Sequence, residues 1–298
     1  MNLSIGSKRL SALKIIVAGL LLSLLGACSA VKVAYNNGHE LAWWWLSDYL
    51  DVNGEDRSTL RQAVHQLHDW HRREQLPTYV DMLRGWQGPV GGDLNSEQVC
   101  RMADELLQRA AALAAMVQVL DPPALQVLAR LNPGQLAEME RNFAKGNRKF
   151  RDKYINVSPK ELLVTRLDNA LSRAEWLYGP LGRVQEQALR AALQATPWDA
   201  REALDWRVRR QQDIAQTLRG LSQGQATPEQ ARIALGALLS RQLDPQEPAE
   251  RARVMATRQQ SCQVLAQLHA STTPAQRAKA QETLRNYAAD LATLVAPR

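Results

Sequence analysis

Histidines, cysteines, tryptophans and one run of cations are the residues of this chain whose types and spacing suggest chemistry. His65, His68 and His71 recur every third residue beside Asp69, so on a helix they fall near one face. Metal-binding helices more often pair histidines four apart, as in H-E-x-x-H. Leu60, Val64 and Leu67 claim the neighbouring core stripe, so polar or capping roles are expected for the histidines and no metal ligand is assigned. Cys100 and Cys262 have three readings: a disulfide, two buried thiols, or reactive or metal chemistry. A bridge between them would close a very long loop and add about 4–5 kcal/mol in the chain-entropy view. The sequence has no P-loop, no H-E-x-x-H and no C-x-x-C, and its carboxylates are interspersed with Lys and Arg along helices. The expectation is a protein that is not an enzyme, with no catalytic residue and no cofactor.

Two further groups suggest surfaces rather than reactions. Trp43, Trp44 and Trp45 are consecutive, and on a helix they point about 100° apart, so they cannot all enter one groove. Trp favours interfaces where its ring is apolar and its N–H stays wet, so these three are candidates for membrane or partner contact. The other reading is a first helix packed between two neighbours. Arg141, Lys145, Arg148 and Lys149 lie in a stretch interleaved with Phe143, Phe150 and Tyr154. That stretch reads as an amphipathic basic helix, either a solvated outer face or a surface for anionic lipid or an acidic partner.

The elements that carry these residues are helical. A cap, then Pro, then an acid or amide three residues after the cap recurs at Asn132, Ser158, Thr196, Thr227 and Thr273. The cap oxygen accepts an orphan amide, Pro at the first helical position has none to leave unpaired, and the third side chain reaches back. Apolar residues keep a three/four spacing from Leu136 to Tyr154, from Val99 to Leu120, from Leu204 to Leu218 and from Leu284 to Val295. No window alternates as a strand would. The fold is expected to be all-α, a bundle of about ten antiparallel helices joined by short turns. Unequal spacing of the caps argues against a solenoid. Leu76-Pro77 should break or kink its helix, because the residue before Pro avoids the α conformation.

The first residues are an address. Lys8, Arg9 and Lys14 precede an apolar run of about 11 residues, short of the ~20 needed to span a bilayer. The next four, Leu25-Gly26-Ala27-Cys28, resemble a bacterial lipobox. That resemblance implies cleavage after Ala27 and acyl chains on Cys28. Residues 1–27 then form a signal peptide, 28–34 a lipidated tether and 35–298 a single helical domain with a Trp-rich module over 35–90. Ser29 stands where lipoproteins kept at the inner membrane usually carry Asp, which implies the inner leaflet of the outer membrane, facing the periplasm. The leader holds three of the 37 basic residues and no acid, so the net charge falls from +7 to 34 against 30, or +4. Nucleic acid is not an expected partner.

Half of the aromatic residues lie between Tyr35 and Trp86. Tyr35-Asn36-Asn37, Trp44-Trp45-Leu46, Tyr49-Leu50-Asp51, Trp70-His71-Arg72 and Gln75-Leu76-Pro77-Thr78-Tyr79 together form a pattern. It resembles a family of Gram-negative lipoproteins of unknown function. The resemblance implies a lipidated helical envelope protein and supplies no activity, cofactor or catalytic residue. The expected function is a membrane-anchored interaction or scaffold protein with an unknown envelope partner. A chaperone-like binder of unfolded chains is the alternative, because Leu131-Asn132-Pro133-Gly134-Gln135 and Thr273-Pro274-Ala275-Gln276 loosely resemble the L-T-x-x-Q motif of small periplasmic chaperones. An unrecognised envelope hydrolase is the second alternative.

Overall fold

The structure is a computed structural model that describes residues 30–196, 198–245 and 247–295. The expected signal peptide, with Ala27 and Cys28, lies outside the described residues. Among the described residues there are thirteen α-helices and no strand. In chain order they are α1 (Ala30–Asn36), α2 (Gly38–Leu50), α3 (Gly54–Trp70), α4 (Leu76–Gly91), α5 (Ser96–Ala112), α6 (Pro122–Ala129) and α7 (Pro133–Tyr154). Then follow α8 (Pro159–Tyr178), α9 (Arg183–Ala195), α10 (Ala200–Gln223), α11 (Pro228–Leu243), α12 (Pro248–Ala270) and α13 (Pro274–Val295). A 3-10 segment, Leu113–Val119, extends α5.

Four of the five written caps start a helix. Asn132, Ser158 and Thr227 each accept from the backbone amide three residues on, and the third side chain returns the bond. Thr273 makes the same pair of bonds with Gln276. Thr196 does not. Its hydroxyl donates back to the carbonyl of Ala192 and it ends α9, while Asp199 caps α10. Asp and Thr both suit such a cap, and the tertiary path of the chain chose the later one.

Pro77 does not break its helix either. Between α3 and α4 the chain makes a π-helical turn, His71–Gln75, in which the Leu76 amide donates to the His71 carbonyl five residues back. Proline has no amide to donate and its ring crowds the carbonyl four residues earlier, so a wider turn just before it relieves both problems. From Ala30 the tether is helical.

Two hydrophobic cores organise the bundle. The first is formed by α2, α3, α6, α7, α10 and α11 around Leu125, Leu131, Leu60 and Ala231. The second gathers α4, α8, α12 and α13 around Val90, Tyr178, Leu268 and Leu284, with α5 packed against it. The chain passes between them repeatedly, and α3 with α4 forms one of the crossings. The most extensive helix pair is α4 with α13, where Gly91 lets the Gln281 side chain approach the α4 backbone and donate to the Gln87 carbonyl. A disulfide joins Cys100 of α5 to Cys262 of α12, with Cα atoms 5.4 Å apart. It fastens α5 to the second core. No single described helix is long and apolar enough to cross a membrane.

Candidate interaction surface and histidine cluster

Helix α2 resolves the tryptophan run. Trp43 is 5% exposed and enters the first core, with the Arg57 guanidinium over its ring at 5.3 Å. Trp44 and Trp45 are 72% and 58% exposed. Val33 of α1 and Leu41 of α2 are exposed as well. Leu41, Trp44 and Trp45 stand at i, i+3 and i+4, so these exposed side chains share one face of α2. Trp45 is held rather than loose: it stacks on Tyr49 with ring centroids 4.8 Å apart, and Tyr49 packs on Phe143 of α7 at 5.6 Å.

Helix α7 turns Phe143 inward toward α2, and its Asn142 amide donates to the Asp48 carbonyl. Arg141, Lys145, Arg148 and Lys149 all face outward and are exposed. By the helical angle they stand on the side opposite Phe143. Arg141 is paired with Glu138, whereas Lys145, Arg148 and Lys149 have no carboxylate partner among the described residues. On the inner side, Gly146 admits the Arg207 side chain, and buried Asn147 accepts from Arg207 and donates to Gln211 of α10.

The histidines are not a ligand triplet. His68 Nε2 donates to the Tyr35 carbonyl at 2.9 Å, and His71 Nδ1 lies 2.9 Å from the Tyr35 hydroxyl. The Tyr35 ring stacks against both imidazoles, with Arg72 over its face at 5.3 Å. Arg72 also donates to the Asn36 side chain at 2.9 Å, and the Tyr79 ring packs on His71. The residues of the Tyr35-Asn36, His71-Arg72 and Tyr79 motifs therefore meet in one place. They form a latch that fixes α1 to the α3–α4 crossing.

Burial sets the electrostatics of the latch. Desolvation pushes the Tyr35 hydroxyl up to about 12, with Arg72 partly opposing it. Desolvation pulls both His68 and His71 below the usual imidazole value, and in His71 the nearby His68 adds to the effect. Both rings are thereby kept neutral, which suits a ring that must accept as well as donate.

His65 takes a different partner. Its ring lies 4.2 Å from that of His39 of α2, and Glu40 reaches both imidazoles at 3.6 and 3.8 Å. His39, Glu40 and His65 are the described residues whose donor atoms could hold a metal ion, all within 4.8 Å of one another. Both Glu40 oxygens already accept from Arg61, at 2.7 and 2.8 Å, and those bonds hold the carboxyl below the usual range. A cation would have to displace the guanidinium, so the cluster is built first as an ion pair between α2 and α3.

The expectation that the chain holds no G-x-S-x-G is wrong at the level of the letters. Gly220-Leu221-Ser222-Gln223-Gly224 spells G-x-S-x-G, the letters of a nucleophile elbow. An elbow needs a sharp strand-to-helix turn that lifts the serine beside a histidine. Here Ser222 lies inside the last turn of α10 and donates to the Leu131 carbonyl at 2.7 Å. The serine ties α10 to the first core.

A family model described as a family of unknown function, DUF6279, matches residues 48–239. The matched span begins after Tyr35 and the three tryptophans and includes His65, His68, His71 and the basic face of α7. Comparison with curated proteins and with solved structures finds no match.

Proposed function

From the premise that this chain belongs to the DUF6279 family, we propose that it is a lipid-anchored periplasmic protein of the outer membrane. On this reading it acts by binding an envelope protein partner rather than by catalysis. The observation that carries the reading is the division of the tryptophan run. Trp43 is spent on the core, while Trp44 and Trp45 stand exposed on the second helix after the lipobox cysteine.

Acyl chains on Cys28 would exceed the two-signal threshold for stable anchoring. The latch at Tyr35 would then make the anchor rigid, because α1 is bonded to the bundle only a few residues after the lipid. A rigidly anchored domain presents one face at a constant height and angle above the membrane. Exposed Trp with an aromatic stack beneath it is a common anchor for a partner surface, since it loses little side-chain entropy on binding.

The test is in-cell photo-crosslinking of the full chain. A photoreactive residue at Trp44 or Trp45 should capture one discrete envelope protein, while one at exposed Val184 of α9 should not. Diffuse products that match those from Val184 would sink the reading. Replacing Cys28 by Ser should abolish labelled-palmitate incorporation and release the chain from the membrane fraction. Suppression of client aggregation by the purified chain, unchanged when both tryptophans are replaced, would favour the chaperone alternative instead.

A further inference from the structure

The second core is not closed. Between α5, α8, α9 and α12 lies a cleft of about 500 Å³, within the range of small-molecule sites. Its floor is aliphatic, with buried Val90, Leu94, Ala174, Leu189 and Leu268. Leu106 and Leu265 stand exposed on its walls, and the Cys100–Cys262 disulfide ties two of those walls together.

The charged groups of the cleft are of one sign, while Thr257, Gln260 and Ser261 of α12 add neutral polar groups. Arg166 and Arg173 of α8 line it, and no carboxylate does. Neither arginine has a carboxylate partner among the described residues. Arg166 spends one N–H on the Thr196 carbonyl, at 3.1 Å, and lies over the Trp198 ring at 5.8 Å. Burial draws its pKa down. At the inner end, Tyr178 and His269 are already satisfied: they share a bond of 2.9 Å, and His269 Nε2 donates to the Gly92 carbonyl. A sugar or peptide would set most of its polar groups against the aliphatic floor, since Thr257, Gln260 and Ser261 all lie on the α12 wall. A hydrocarbon chain would not, and an anionic head would find the two arginines.

We propose that this cleft binds a monoacyl anionic amphiphile, with its chain along the aliphatic floor and its head group at Arg166 and Arg173. A long-chain fatty acid and a monoacyl phospholipid share that chemistry. The site is separate from the Trp44–Trp45 surface and does not depend on the function proposed for it.

The test uses the full chain in phosphatidylcholine nanodiscs with three photoreactive probes: palmitate, lysophosphatidylglycerol and neutral monoacylglycerol. Adducts are mapped by mass spectrometry. At least one anionic probe should label the cleft walls at Leu106, Val264 or Leu265 about tenfold more than the neutral probe does, the effect of one charge-assisted hydrogen bond. Which anionic probe labels tells the source of the ligand. Ala170→Trp should fill the cleft and remove the adducts, and Arg173→Gln should remove the preference for the anionic probes. Because Arg173 is exposed, its variant decides the matter even where Ala170→Trp fails to fold. Equal labelling by the neutral probe, or cleft adducts that survive Ala170→Trp in a folded chain, would overturn the proposal.

Discussion

The Tyr35 hydroxyl and His71 Nδ1 lie 2.9 Å apart across 36 residues of chain. Together with the bond from His68 to the Tyr35 carbonyl, this contact decides where the first helix sits. Under the lipid anchor proposed at Cys28, a loose first helix would let the domain swing, and the Tyr35 contact, seven residues on, would restrain it.

Tyr35→Phe keeps the ring and deletes the hydroxyl, leaving His71 Nδ1 without its partner. The expected loss is about 1 kcal/mol, the usual net worth of one hydrogen bond with some added desolvation. Tyr35→Ala also removes the stacking on two imidazoles and should cost more. Urea unfolding of both variants checks the order, and hydrogen exchange should show the loss concentrated in α1.

The same latch makes stability depend on pH. His68 and His71 have folded pKa values below that of a free imidazole, so the unfolded chain binds protons that the folded chain refuses. Stability is therefore full above about 6.5 and falls as pH drops through that value toward the folded pKa values. A thermal midpoint that declines between pH 7 and pH 5, and declines less in the His68→Gln, His71→Gln double variant, is the expected result. An equal decline in both would assign the effect to other groups.

Trp43 and Trp44 should behave oppositely although they are neighbours. Trp43→Ala opens a cavity in the first core and should cost about 3–5 kcal/mol. Trp44→Ala and Trp45→Ala should leave the unfolding midpoint nearly unchanged, because their rings face solvent. Their loss should instead be read in crosslinking yield.

Reducing the Cys100–Cys262 bridge should destabilise the chain by about 2–5 kcal/mol, given the 162-residue separation it closes. Unfolding with and without reductant measures it. Exchange protection should fall first in α5 and α12, the two walls that the bridge joins.

The charge pair between Arg61 and Glu40 is exposed and should matter little to stability. Its removal should matter to metal. Arg61→Ala frees a carboxylate beside His39 and His65, so calorimetric Zn²⁺ titration should show tighter uptake by the variant than by the parent chain. Equal uptake would mean that the guanidinium does not guard the cluster.

The sequence by itself determined the class of fold and four of the helix starts, because those depend on contacts within four residues. Caps at Asn132, Ser158, Thr227 and Thr273 are local hydrogen bonds, and amphipathic spacing is a local period. The exceptions show the limit. Thr196 and Asp199 were both competent caps, and only the path of the chain between α9 and α10 chose Asp199. At Pro77 the strain was legible, but its relief by a π turn depended on where α3 and α4 had to pass between two cores.

Everything that makes a site here was decided by tertiary structure. Three adjacent tryptophans announced that they could not share a groove, but which one is buried follows from where α3 and α7 pack on α2. The histidine spacing predicted one face and could not show that Tyr35, His39 and Glu40 would meet it from other helices. Cys100 and Cys262 pair because α5 and α12 lie side by side, and Arg166 and Arg173 face a cleft because α9 stands off from α5. Contacts between residues far apart in sequence carry no local period, so their energies appear only when the chain has closed on itself.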